Sequence, residues 1–224
     1  MRHAFAVGLA FVLVPVFGCA GLGLPTTGSE PASRPAPTSS ASVATPAQTA
    51  RLQRVMVPLL RVMDNPVALE EVSVGIMKDP QINAANAGGG QFFVTTGLLE
   101  KANDDRLRAV LAHEIAHDDL NHVARAQMLA AGLGIGAAVL EQIFPGTGQV
   151  VPIAGELVAR KYSRDEEFAA DRHGVELLKR AGHSKQVMID GLTWLMQISG
   201  DSGGGFFSTH PGTEDRIARL RNQA

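Results

Sequence analysis

The sequence predicts a mainly helical α+β domain with a small β-sheet over residues 50–224, preceded by a leader (1–18) and a polar tether (19–49). Three observations predict it. Apolar residues recur at helical spacing over 50–64 and 104–120, and 154–180 reads as a further helix. A strand-bearing segment is expected near Val72 to Thr95. The stretch from Ala50 onward is long enough to bury one core, whereas the tether before it is not apolar enough to join it.

The leader opens with Arg2 and His3 and continues as an apolar run from Ala4 to Phe17, the charged start and short hydrophobic middle of a secretory signal. It is shorter than a comfortable membrane span. Val16-Phe17-Gly18-Cys19 then resembles the lipobox of bacterial lipoproteins, although Phe17 is bulky where a smaller residue is commoner. That resemblance implies cleavage before Cys19, acylation of its thiol with a fatty acid such as palmitate, and a periplasmic chain held to a membrane by lipid. Ala20, standing where Asp would otherwise retain the protein, points to the outer membrane. An ordinary signal peptide with an incidental cysteine is the alternative. Cys19 is the sole cysteine, so no disulfide within the chain accounts for it.

From Gly21 to Thr49 the chain is largely Pro, Ser, Thr and Ala, with too little apolar surface to offset chain entropy, and it reads as an extended, disordered tether. Formal net charge is −2 with no basic run, which argues against a nucleic-acid partner. No internal repeat is visible. In the helix expected over Ala50 to Asp64, Leu52, Val55, Leu59 and Val62 form the packing side; Arg51, Arg54 and Arg61 are assigned to the wet face.

The helix over Asp104 to Leu120, capped by Asn103 or Asp104, carries Leu107, Val110, Leu111, Ile115 and Ala116 at helical spacing. Within it lies His113-Glu114-Ile115-Ala116-His117. Two histidines four apart project from one face, so both imidazoles can reach a single zinc ion while Glu114 leans toward a water there. A catalytic zinc needs a third protein ligand and one open position. Glu167 is the best candidate. It shares a face of the 154–180 helix with Asp171, bordered by Ala170 and Gly174, whose small size lets the two helices approach; Asp171 can then hold a ligand histidine by its other nitrogen. Glu166 and Glu156 remain rivals for the third position.

HExxH followed by Ser163-Arg164-x-x-Glu167-x-x-Ala170-Asp171 resembles the HtpX and CAAX prenyl protease type of zinc metallopeptidase, of the gluzincin group. Asn83-Ala84, Gly88 to Gly90, Phe92-Phe93-Val94 and Gly97-Leu98-Leu99 resemble the family's strand and turn before the zinc helix. Ser208-Thr209-His210-Pro211 with Arg216 resembles its C-terminal His-Pro motif. The match runs from about Val72 to Leu220, with Asn86 and Gly88 as its modest departures.

The resemblance implies a zincin-like fold, one zinc held by His113, His117 and Glu167, Glu114 as general base, and His210 as donor to the developing oxyanion. A histidine so placed can also occupy the open position, so self-inhibition by His210 is held as a hypothesis. Arg216 is expected to position His210, to bind substrate carboxyl groups, or to anchor through a salt bridge the C-terminal helix that Thr213 caps. Gln91, Phe92, Phe93 and Val94 are expected to form an exposed strand edge that binds extended peptide through its backbone. The apolar segment Met128 to Leu140, with Phe144 beyond it, reads as a lid, a membrane contact or a core helix. His122, His173 and His183 have no spacing that demands a metal.

The expected function is endopeptidase cleavage of misfolded or unfolded envelope proteins, a quality-control role. The alternative is a chaperone-like outer-membrane assembly factor, partnered with envelope assembly machinery, that uses the same cleft for binding. An exopeptidase would need a group that fixes a substrate terminus, and none is identified.

Overall fold

The computed structural model describes residues 41–42, 44–125, 162–199, 205–211 and 213–223. Leader, Cys19 and the apolar segment 128–144 lie outside them. The elements run β1 (Ala41–Ser42), α1 (Pro46–Leu60), β2 (Ser73–Met77), β3 (Ala84–Gly88), β4 (Gln91–Thr95), α2 (Thr96–Lys101), α3 (Asp104–Asp119), α4 (Arg164–Arg180), α5 (Gln186–Ser199), α6 (Phe206–Thr209) and α7 (Thr213–Asn222). Most described residues are helical, around one small sheet.

The helix expected from Ala50 starts earlier: α1 begins at Pro46. Thr45 accepts a hydrogen bond from the Gln48 backbone N–H while the Gln48 side chain accepts from the Thr45 N–H, and Pro46 supplies a preset φ at the first helical position. Arg51 is corrected as well. Its guanidinium is only 21% exposed and donates to the carbonyls of Leu99 and Ala102, both at 2.6 Å, and to Asp104 at 2.7 Å. It thereby satisfies carbonyls at the end of α2 and joins them to the acidic start of α3.

The sheet order is β1-β2-β4-β3, with β4 parallel to β2 and antiparallel to β3. Gln91 to Val94 therefore lie in an interior strand whose backbone pairs on both sides. They are not the exposed edge that the sequence suggested; that edge is β3. Its turn into β4 passes through Gly88, Gly89 and Gly90, at φ of 89°, 60° and 78°, a left-handed path that glycine takes without steric cost. Asp118 of α3 accepts a hydrogen bond from the Gly90 backbone N–H at 2.9 Å, which ties this turn to the helix.

Helix α3 is the centre of the fold, packed against α1, α4, α5 and β3. The sequence reading gave it one apolar face, yet every residue from Ala109 to Asp119 is buried. Its polar residues are inside because they build the site. Helix α4 begins at Arg164, capped by Ser163, and not near Ala154: Ser163 is extended and hydrogen-bonds Glu166 in a reciprocal box. A Cβ on Gly174 would stand 3.2 Å from the Ala112 carbonyl and 2.7 Å from Met188, so the missing side chain lets α4 approach α3. The core joins Leu52, Val55, Leu59, Leu107, Leu111, Ile115, Leu177, Leu178, Met188 and Leu192.

Candidate metal centre

Three elements and one loop converge on a single point. Helix α3, capped by the Asn103 side chain on the Arg106 N–H at 2.9 Å, delivers His113, Glu114 and His117 on one face. Helix α4 delivers Glu167 and Asp171. His210 follows α6, and Arg216 arrives from α7. His113, His117, Glu167 and His210 each place one donor atom within 4.8 Å of all the others. His117 Nε2 is 3.1 Å from His113 Nε2 and 3.3 Å from Glu167 Oε1; His210 Nδ1 is 3.2 Å from His113 Nε2 and 3.0 Å from Glu167 Oε1. Glu166, a rival for the third position, is engaged in the Ser163 cap; Glu156 lies outside the described residues.

Glu114 is fully buried, with Oε1 3.2 Å from His210 Nε2. Neither of its carboxylate oxygens has an aligned hydrogen-bond partner. Buried carboxylate oxygens left this way are costly unless a cation or water meets them. Three imidazole nitrogens and a carboxylate oxygen, converging beside such orphaned atoms, form the N/O donor set that suits zinc, and the residues present fit that ion.

Around this cluster, Asp171 Oδ1 is 3.0 Å from His113 Nδ1, holding the ring by the nitrogen that faces away from the other donors. Arg216 is fully buried. It donates to both oxygens of Asp171 at 2.7 Å, and its Nη1 is 2.6 Å from Glu167 Oε2 and 3.3 Å from the His210 carbonyl. Of the roles left open for Arg216, it is thus within the centre as well as an anchor for α7.

Electrostatics follow from this packing. Burial drives His117 well below its ordinary pKa. Burial and Arg216 press on His113 in the same direction, but Glu167 and Asp171 outweigh them and raise it to about 9. Glu167 and Asp171 are both lowered: burial opposes ionisation, and is overcome for Glu167 by His210 and His113 and for Asp171 by Arg216.

Several residues here escaped the sequence reading. His122, assigned there to no metal role, is buried with Nδ1 2.8 Å from His117 Nδ1. Tyr162, the only tyrosine in the chain, lays its ring 3.8 Å from that of His117. Phe206 stacks on His210 at 4.2 Å and 12°. The position of Tyr162 directly before the Ser163 cap was a signal that could have been used. His173 belongs elsewhere: it is 2.6 Å from Asp119, which also accepts from the Asp64 and Asn65 backbones.

Comparison with known proteins agrees with this geometry. A family model described as peptidase family M48 matches residues 46–224. The chain is similar to Metalloprotease YcaL of Escherichia coli (strain K12), 27% identical over 173 residues, covering 74% of this chain and 67% of that protein. It is 28% identical over 184 residues to a Protease HtpX homolog of Bacillus subtilis (strain 168), covering 66% and 62%. A Protease HtpX homolog of Bacillus licheniformis is 32% identical over 188 residues, again covering 66% and 62%. The chain thus spans about three fifths to two thirds of the length of these relatives.

Proposed function

The chain belongs to peptidase family M48 as an HtpX-type zinc metallopeptidase, and from that premise we propose that it is an endopeptidase of zincin-like fold that cleaves unfolded or locally extended proteins. The observation that carries the proposal is Glu114, fully buried beside the donor cluster with both carboxylate oxygens lacking aligned hydrogen bonds. A cleft used for binding alone has no need of a buried base kept in that condition, so the assembly-factor reading is not favoured.

His113, His117 and Glu167 would hold the zinc. When bound, the ion supplies Lewis-acid polarisation of the scissile carbonyl and makes water more acidic. Glu114 accepts the proton of the attacking water and returns it to the leaving amine. Asp171 orients His113, and Arg216 balances the charge of Asp171 and Glu167. His210, whose two nitrogens face Glu167 and Glu114, donates to the oxyanion. Its Nδ1 lies among the donors, so the same side chain restrains the site at rest and must withdraw for substrate. Loss of cleavage in His210→Ala, with no condition under which it rises, would remove the restraining role.

Substrate backbone is bound by β3, the edge strand beside α3. Its sequence, Ala84-Ala85-Asn86-Ala87-Gly88, offers mostly small side chains on a strand paired on one side, with β4. Recognition of that kind selects extended conformation over sequence, which suits quality control of misfolded chains. The apolar leader and Cys19 support a periplasmic site with a lipid anchor, outer membrane favoured by Ala20. Among the described residues, no helix is long and apolar enough to cross a membrane.

The test is zinc content and casein cleavage by the purified chain beside Glu114→Gln. Near-stoichiometric zinc in both, with cleavage reduced about 100-fold or more in the variant, is expected. Equal cleavage by the variant would refute the base, and a folded chain without zinc would refute the site.

A further inference from the structure

His117 directs Nε2 at His113 Nε2 and Glu167 Oε1, so Nε2 is its metal-facing nitrogen. A histidine ligating through Nε2 carries its proton on Nδ1 and needs an acceptor there to fix the ring. For His113 that acceptor is Asp171. Among the described residues, the atom 2.8 Å from the His117 Nδ1 is not a carboxylate oxygen but His122 Nδ1. We propose that His122 is a positioning residue of the zinc centre, a neutral imidazole whose Nδ1 accepts the His117 Nδ1 proton while its own proton sits on Nε2.

The backbone is shaped to deliver it. Helix α3 ends at Asp119, and Asn121 adopts φ 56°, the only positive φ on a non-glycine residue among those described. Its N–H bonds back to the Asp118 carbonyl at 2.8 Å, reversing the chain so that residue 122 returns over the last turn of the helix. Left-handed backbone is disfavoured outside glycine, and asparagine tolerates it best among the rest. His122 is then buried, with its ring 4.9 Å from that of His117, while Tyr162 covers His117 at 3.8 Å.

Charge explains why an imidazole serves here. Glu114, Glu167 and Asp171 are three carboxylates in one buried centre, facing Arg216 and a divalent ion. With the ion bound, those charges would cancel. A fourth carboxylate behind His117 would leave a buried excess, whereas a neutral acceptor orients the ring without adding one.

This inference rests on the zinc-site reading, and its test separates the two. Zinc-loaded protein with ¹⁵N-labelled histidines should show a nitrogen–nitrogen scalar coupling across the hydrogen bond from His117 Nδ1 to His122 Nδ1, a signal that mere packing does not produce. Zinc affinity, measured by competition with a chromophoric chelator, should fall about 10–100-fold in His122→Leu. His122→Asn, which places an amide oxygen close to the lost Nδ1, should recover most of it. Full zinc occupancy without the coupling, or unchanged affinity in His122→Leu, overturns the role of His122 alone. Should the leucine variant fail to fold, the coupling in the unaltered protein and the asparagine variant still decide. Absence of zinc from the unaltered protein overturns both readings.

Discussion

Replacing Arg216 by methionine removes a fully buried guanidinium that touches Asp171 through two 2.7 Å hydrogen bonds and stands 2.6 Å from Glu167. Methionine fills similar volume, so the loss is chiefly of charge and hydrogen bonds. Two carboxylates are then left buried without their cation, and breaking such a pair from one side costs about 3–5 kcal/mol. For a domain of this size, each kcal/mol shifts the melting temperature by about 2–4 °C, so a fall of roughly 6–20 °C is expected in chelator. Zinc should recover part of the loss, because its charge would meet Glu167 directly and Asp171 through His113. The assay is thermal unfolding of Arg216→Met with and without zinc, beside the double variant Arg216→Met/Asp171→Leu. Removing Asp171 as well should be milder than removing Arg216 alone, since one of the two stranded carboxylates goes with it and only Glu167 is left. A fall below about 1 kcal/mol in the single variant, or a double variant less stable than the single, would refute the reasoning.

Three further outcomes are expected. Gly205 sits at φ 64°, and a Cβ there would lie 2.8 Å from the Ile82 carbonyl, so Gly205→Ala should cost at least about 1 kcal/mol and slow cleavage by displacing the turn that leads to His210; unfolding and casein assays check both. The hydrogen bond from Arg51, aided by Arg54 and opposed by burial, holds Asp104 below the ordinary aspartate value of 3.8, so its stabilisation is complete above that pH and lost as pH falls through the lower folded value. Arg51→Ala should therefore flatten the acid limb of a stability-against-pH curve below about pH 4, read by urea unfolding. Zinc removal should abolish cleavage and lower stability by about 2.7 kcal/mol relative to free zinc at about 100 times Kd, with both restored on re-addition.

The residues that local rules govern were the ones legible in the sequence. Helix α3 was readable almost to its ends because Asn103 caps it and HExxH needs a helix for its geometry. Glu167 and Asp171 were readable because i and i+4 share a helix face. The start of α1 was equally available in Thr45-Pro46-Ala47-Gln48, a capping box with proline at the first position, but Pro and Thr there were absorbed into the tether by composition. Lateral strand order was not legible. Nothing local to Gln91–Thr95 says that β2 and β3 flank it, since register and neighbours come from the sheet as a whole. His122 and Phe206 escaped for a similar reason: their partners meet them through a reversed turn and a short helix, and neither leaves a periodic trace. Arg51 was misjudged because a cation on a helix surface is usually solvated, and only the packed end of α2 supplies the carbonyls it binds.

Asp118 follows His117 of the donor cluster on α3 and accepts from the Gly90 N–H at the foot of the β3–β4 turn. The donor cluster and the edge strand are thus gauged from a single helix turn. If substrate lies along β3 as proposed, this tie would help set which residue of the guest comes to rest over the cluster, as a stop on a cutting guide sets the length of each piece. Weakening the stop would leave the blade sharp and blur the lengths it produces.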